Sequence, residues 1–597
     1  MVFTPTTKKE LKDAVNMYCK SESEGIKKYG IISNWDVSNI TDMSGLFYNK
    51  EHFNHEISNW NVSNVTDMKS MFFGCIYFTQ LLNKWDVSNV INMEYMFSGC
   101  ISPSKSIIAW DVSSVKDMSN MFNNCTYFNS DISKWNVSNV TTVCGMFSNC
   151  IKFNQPLNNW DVSNVTNMHC MFNNCKNFNQ PLNNWNVSNV ITMHCIFSSC
   201  INFNQSLNNW DVSNVTNMYS LFNKCISFDQ PLNNWDVSKV TNMNHMFNGC
   251  INFNQSLNNW NVSNVIEMSY IFFDCVKFDQ PLNNWNISKV TNMSYMFNNC
   301  NNFNQPLNNW DVSNVKTMSH LFSECKNFNQ PLNNWNVSKV TNMSHMFTKC
   351  ISFNQPLNRW DVSNVTTMSR ILTECSNFNQ PLNNWDVSNV TNMSYIFNKC
   401  KKFNQPLYNW DVSNVISLHD AFKECINFDQ SLIMWYNVNL LQHNKISADS
   451  LIYILNNLIN NPYTSKRKTR IIDNIMNTSL INCIFEYKEK FMINKYKDIF
   501  NGYIMPYAVV KYDILCTLNH FGINIENTIN FDKFGDDLLV NMYCNKKNTI
   551  ISKLIKYMRE NNEKKYKHLA KRLNILFKKR LRRDIDVKII GNHIIFI

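Results

Sequence analysis

At 597 residues the chain is far longer than one compact core can serve, which leaves either several domains or one long array. Only 11 glycines and 13 prolines accompany 22 cysteines, 30 methionines, 17 tryptophans and 41 phenylalanines, a skew that favours a recurring apolar pattern. Of the formal charge of +11, +10 falls between Ile551 and Ile597 (14 Lys/Arg against four acids), so the array itself is excluded as a basic surface. No apolar run reaches the ~18 residues of a membrane span, which excludes a helical membrane protein.

In chain order, the first predicted element is a helical cap over residues 1–30. Thr7-Lys8-Lys9-Glu10 has the form of a capping box, and Leu11, Ala14, Val15 and Met17 follow on one helical face. The opening stretch, MVFTPTTKKELKD, carries charges where a secretory signal has an apolar core. A cytoplasmic protein is therefore expected, in the host cytoplasm or the virion if the source is a virus.

From residue 31 to 436 every tryptophan, Trp35 through Trp435, falls on one grid of 25 residues, which only tandem repetition produces. About sixteen or seventeen units result. Within a unit, Leu282, Trp285 and Ile287 follow the L-x-x-L-x-L spacing of a short strand, and Met293, Met296, Phe297 and Cys300 stand at i, i+3, i+4 and i+7 of a helix. Asn-Gln-Pro-Leu, as at Asn304 to Leu307, supplies the turn before the strand. The expected fold class is therefore α/β: a right-handed, leucine-rich-repeat-like solenoid of strand-helix units, whose strands form one parallel sheet. The unit at 101–110 (ISPSKSIIAW) lacks the Phe-Asn-Gln-Pro-Leu stretch, and a local irregularity is expected there.

Residues such as FNQPLNNWDVSNVTNMSYIF, from Phe378 to Phe397, carry a resemblance to the repeat family of BspA-like bacterial surface proteins, mycoplasma lipoproteins and large DNA viruses. It covers about residues 31–435. The resemblance implies a leucine-rich-type solenoid; the bacterial members look like surface adhesins, whose export signal or lipid-attachment cysteine is not expected here from the charged opening stretch.

Residues 437–597 shift in composition to Asn, Ile, Lys and Tyr. Segments 447–460, 468–477, 548–560 and 563–583 read as helices, and Gly591-Asn592 between two apolar runs reads as a hairpin turn. This is the expected basic, mainly helical C-terminal domain with a terminal hairpin.

Three groups of residues are candidates for function in the array and tail. The position after each tryptophan alternates between Asp and Asn, with Ser two places on; Asp161, Asp211, Ser213, Asp236, Asp311, Ser313, Asp361 and Asp386 read either as a hydrogen-bonded polar ladder along the stack or as a mildly acidic docking face. Cys144, His169 and His194 occupy one position in three successive units, with Cys170 and Cys195 beside the histidines; zinc would accept such ligands, and partly exposed polar side chains are the plain alternative. Lys564, Lys565, Lys567, Lys571, Arg572, Lys578, Lys579, Arg580, Arg582 and Arg583 surround Leu569, Leu573, Ile575, Leu576 and Leu581. That pattern suits phosphate contacts, an acidic protein partner or a solvated face.

Fifteen further cysteines, one in each unit from Cys75 to Cys425, read as buried thiols rather than as a disulfide or metal ladder. No phosphate-binding loop, dinucleotide fingerprint, nucleophile elbow or H-E-x-x-H motif occurs, and no cofactor is implied. The expected function is that of a non-enzymatic, monomeric protein-protein interaction scaffold, with nucleic-acid association through the C-terminal domain as the alternative.

Overall fold

The computed structural model describes residues 2–103, 105–428, 430, 587–590 and 593–596. The chain divides into two compact units, one of Met1–Asn389 with Lys399–Gln405, the other of Val390–Asn398 with Pro406–Ile597.

The first unit opens on α1 (Lys8–Lys20), whose capping box is complete: the Thr7 hydroxyl accepts from the Glu10 amide, and the Glu10 carboxylate accepts from the Thr7 amide. Its buried face is Leu11, Ala14, Val15 and Tyr18. Met17, placed on that face by the sequence reading, is only half-buried, because the seventh residue after Leu11, not the sixth, completes two helical turns. Ser21 ends α1 and caps α2 (Glu22–Tyr29). The two helices touch at Gly25, where an added Cβ would lie 2.7 Å from the Tyr18 Cα. Tyr18, Phe3 and Tyr29 surround Trp35 with ring centroids 5.7, 5.0 and 6.0 Å away, so the cap covers the first tryptophan of the array.

The array differs from the strand-helix expectation. Among the described residues its units contain neither α-helix nor multi-residue strand; each is a coil of successive tight turns. In the coil of Trp285, Trp285 N–H donates to the Leu282 carbonyl (3.1 Å) and Val290 N–H to the Ile287 carbonyl (2.9 Å), closing two turns where a strand was expected.

From Met293 to Cys300 the amides alternate in direction. Those of Met293, Tyr295, Phe297 and Asn299 donate to Thr317, Ser319, Leu321 and Ser323 of the next coil at 2.8–3.1 Å, while those of Met296, Asn298 and Cys300 donate three residues back within their own coil. Met293, Met296, Phe297 and Cys300 are all fully buried, as the helical spacing required. The backbone reaches that spacing by two consecutive turns, 293–296 and 297–300, each with a positive φ (59°) at its third residue, Tyr295 and Asn299. An α-helix cannot hold left-handed residues, so this segment is a ribbon of turns whose free amides tie neighbouring coils together.

The parallel sheet is correspondingly reduced to one bridge per coil, running Asp42↔Asp67↔Asn92 and onward to Asn342↔Thr367 in the first unit. Beside it the side chains form their own ladders. From Trp60 to Trp385 each Trp Nε1–H donates to the Leu or Ile carbonyl 28 residues earlier, as Trp285 does to Leu257 (2.9 Å), and from Cys75 to Cys400 each grid cysteine thiol donates to a carbonyl 28 residues earlier, as Cys200 does to Phe172 (2.9 Å).

The Asn of the Asn-Gln-Pro-Leu stretch, or of its Asn-Gln-Ser-Leu variant, accepts from the equivalent amide of the next coil and from the next Gln: Asn204 Oδ1 takes Asp229 N–H at 3.0 Å and Gln230 Nε2–H at 3.1 Å. That stretch is thus an amide ladder between coils as much as a turn. Rings stack in register, Trp85 on Trp110 at 6.4 Å and Phe253 on Phe278 at 6.0 Å. At 101–110 a 3-10 helix, Lys105–Ala109, replaces the missing stretch; Ile107 fills the leucine position and Trp110 keeps its place, so the irregularity is local.

In the second unit, Asn392 bridges Ser417, and Phe397 stacks on Trp410 at 6.0 Å. Further along, β1 (Val587–Ile590) pairs antiparallel with β2 (His593–Phe596), Ile590 opposite His593, on either side of Gly591-Asn592. The four helices expected between 447 and 583 lie outside the described residues. No helix among the described residues is long and apolar enough to cross a membrane.

Candidate interaction surfaces

Much of the polar surface is framework. Asp161, Asp211, Asp236, Asp311, Asp361 and Asp386 are exposed, but each turns its Oδ1 back to accept the amide of the serine two residues on, at 2.9–3.1 Å. Ser213 and Ser313 are those serines for Asp211 and Asp311. The bond closes an Asx turn inside one coil, so this column is not a ladder along the stack, as the sequence reading allowed. Hydrogen bonds from the serine side chain and then the serine amide hold the carboxyls of Asp161, Asp211, Asp311 and Asp386 below the ordinary aspartate range. The other carboxylate oxygen of each of these aspartates remains for solvent or a partner. The coil-to-coil contact is made instead by the asparagine three places further on, as Asn214 Nδ2–H donates to the Ser188 carbonyl at 2.8 Å.

Cys144, His169 and His194 do come together, but not around a common point. His169 Nε2 lies 2.5 Å from Cys144 Sγ, and its Nδ1 lies 2.6 Å from Asn167 Oδ1. The His194 ring stacks flat on His169 at 4.5 Å, its Nδ1 3.0 Å from Thr192 Oγ1. Stacked rings keep their nitrogens parallel instead of convergent, and no group of three or more His, Cys, Asp or Glu among the described residues can hold a metal. The zinc candidate is corrected to a hydrogen-bonded stack. Burial holds both histidines below their ordinary pKa, with His194 adding to the effect at His169.

Two surface features went unread in the sequence. The first is a groove of about 530 Å³ along the coils from Asn174 to Asn299. Its floor is Ile201, Ile226, Ile251 and Val276, the residues that follow the buried Cys200, Cys225, Cys250 and Cys275; Ile226 and Ile251 are 40% and 39% exposed. The rim carries Lys176 and Lys224 toward one end and Asp274 toward the other, with Gly249 opening it between them. Four successive apolar residues after the column cysteine, bounded by Lys176 and Asn301, were the available signal.

The second is a stack of half-buried rings at the first positive-φ position: His245, Tyr270, Tyr295, His320 and His345, with successive centroids 4.4, 4.4, 4.1 and 4.1 Å apart. Burial, and after it His345, pushes His320 down to about 4; burial, and after it Arg370, lowers His345. Burial alone lowers His245.

The basic residues from Lys564 to Arg583 lie outside the described residues.

Among known proteins, no curated sequence matches this chain. Among solved structures it is similar to the protein of the "TLR13-ssRNA13 complex" (10% identity, 68% of this chain and 78% of that one, TM-score 0.16) and to "a TDR receptor" (10%, 65% and 84%, 0.17). A third is the Arabidopsis receptor kinase HAESA in complex with the peptide hormone IDA and the co-receptor SERK1 (8%, 57% and 74%, 0.15). At these scores the superpositions are too weak to define a shared fold. The family model described as "Mycoplasma protein of unknown function, DUF285" matches residues 15–107, 101–210, 180–285, 267–376 and 349–451, a span that takes in the whole tryptophan grid, and the chain belongs to that family.

Proposed function

We propose that this protein is a non-enzymatic interaction scaffold that docks an amphipathic helix of a protein partner in the groove over Ile201, Ile226, Ile251 and Val276. The observation that supports the reading is the row of these four apolar side chains, one per coil, Ile226 and Ile251 exposed and Ile201 and Val276 half-buried, on a repeat whose surface polar groups are largely committed to holding coils together. Neighbouring coils stand about 4.8 Å apart, so four rungs span about 14 Å. A helix presents an apolar side chain on one face every three or four residues, about 5 Å of rise, and three such steps cover about the same length. A strand, with one face repeating every ~6.8 Å, falls out of register. Lys176 and Lys224 at one end favour acidic residues on the matching end of that helix.

The test is a pull-down from the native cell with the full chain and with the I226D/I251D double variant, both treated with nuclease. A protein retained by the wild type and lost by a variant with unchanged circular dichroism supports the reading. A partner retained equally by both overturns it. The second reading, nucleic-acid association through Lys564 to Arg583, rests on the concentration of charge in residues 551–597. It predicts retention that nuclease abolishes and that falls steeply with salt.

A further inference from the structure

The array carries two kinds of cysteine. The fifteen on the repeat grid are buried, and those such as Cys175 and Cys200 donate their thiols to the carbonyls of Phe147 and Phe172 at 2.9 Å. Cys170 and Cys195 stand instead at the half-exposed, positive-φ position that elsewhere holds the ring stack.

Their register is fixed from both sides. Asn167 bridges Thr192, Cys170 N–H donates to the His194 carbonyl at 3.0 Å, and Phe172 N–H donates to the Ile196 carbonyl at 3.0 Å. Both backbones have the same left-handed twist, φ 56° and 58°, so the two Cα–Cβ bonds leave their coils in the same direction. Side chains in this column stand close, with Tyr270 and Tyr295 rings 4.4 Å apart and His320 and His345 rings 4.1 Å. Coil spacing of about 4.8 Å lies within the 4.4–6.8 Å between Cα atoms that a disulfide bridges. The two thiols thus stand at equivalent positions of adjacent coils, each in reach of the other's electrostatic influence.

We propose that Cys170 and Cys195 form a reversible dithiol–disulfide site that staples two neighbouring coils, with a small-molecule disulfide such as oxidised glutathione as the oxidant. In the first step the Cys170 thiolate attacks one sulfur of the oxidant, forming a mixed disulfide and releasing one glutathione thiolate. In the second, Cys195 gives its proton to solvent and its sulfur attacks Cys170 Sγ, expelling the other glutathione. Two thiols are oxidised, one small disulfide is reduced to two thiols, and a thiol reductant reverses the sequence. The neighbouring Cys195 lowers the Cys170 thiol pKa and the same contact raises Cys195, which makes Cys170 the attacking group. Burial pushes grid cysteines such as Cys75 up to about 12, which keeps them out of the exchange.

The experiment treats the reduced, folded full chain with oxidised glutathione, blocks remaining thiols without denaturant and maps peptides by mass spectrometry. The expected result is a linked peptide joining Cys170 to Cys195 that disappears on addition of dithiothreitol, with the grid cysteines unmodified. In the Cys195→Ser variant Cys170 should stop at the glutathione adduct. No linked peptide in the wild type, or a link from Cys144 to either cysteine, overturns the proposal; the wild-type result decides even if the variant fails to fold.

Discussion

Asn204 shows how much a single side chain does in this molecule. Its Oδ1 satisfies both the amide of Asp229 and the Gln230 side chain of the next coil. Asn204→Ala should therefore leave a half-buried amide without its acceptor and cost about 1–3 kcal/mol in urea unfolding. Asn204→Asp should be nearly silent, because Asp229 and Asp279 already play the same part toward Asn254 and Asn304 at 2.9 Å.

The stacked histidines give a pH dependence whose direction follows from their burial. His320 is pushed down to about 4, and His245 and His345 lie below their ordinary value. The unfolded chain, with histidine near 6.5, then binds more protons than the folded one between those limits. Stability is fully present above about pH 6.5 and falls as pH drops toward 4. The lowered aspartates titrate below the ordinary aspartate value of 3.8, so the stability they add is lost below this window. Urea midpoints between pH 7.5 and 4.5 should fall for the wild type, and replacing His320 by Gln should reduce the slope.

At the scale of the element, the turn ribbon and the helix it replaces make opposite predictions for the same substitution. Lys224 sits at a positive-φ position, φ 60°, where a non-glycine residue is strained by about 1 kcal/mol. Lys224→Gly should stabilise the protein by about that amount in this turn, whereas in a helix the change would destabilise it by ~1 kcal/mol. The sign of the shift in thermal midpoint decides. In the cap, Gly25→Ala would drive a methyl group against the Tyr18 backbone, which cannot move aside as a flexible side chain could. A loss of about 1–3 kcal/mol is expected in the same assay, through separation of α1 and α2.

The helix in the cap was legible because its capping box and apolar face are local signals. The elements of the array were not, because an i, i+3, i+4, i+7 pattern is met equally by a helix and by two consecutive turns. Sequence periodicity records which side chains point inward; it does not record where the amides point.

For the whole molecule, repetition makes the coil interface the unit of stability. Deletion of residues 301–325 removes one full period and rejoins equivalent positions, so the shortened array should unfold cooperatively with native-like circular dichroism. Deletion of 301–324 shifts every later column by one position against its neighbour and should abolish the cooperative transition. Tryptophan fluorescence during denaturation reads both, since every tryptophan lies on the grid.

The period, the inward columns and the position of the cap follow from the sequence by itself, because burial repeats wherever the same residue repeats. So does membership of a framework: the fifteen grid cysteines read as buried thiols, and those described are buried. Tertiary structure decided the rest. Each coil finds its amide partners some 24 residues further along the chain, as Met293 does at Thr317, so hydrogen bonding between coils settled turn ribbon over helix. The same stacking sent the zinc candidates into a flat ring stack and brought Cys170 beside Cys195. It also lined up four ordinary isoleucine and valine residues into a groove, since a surface made of one residue per coil exists only once the coils are stacked.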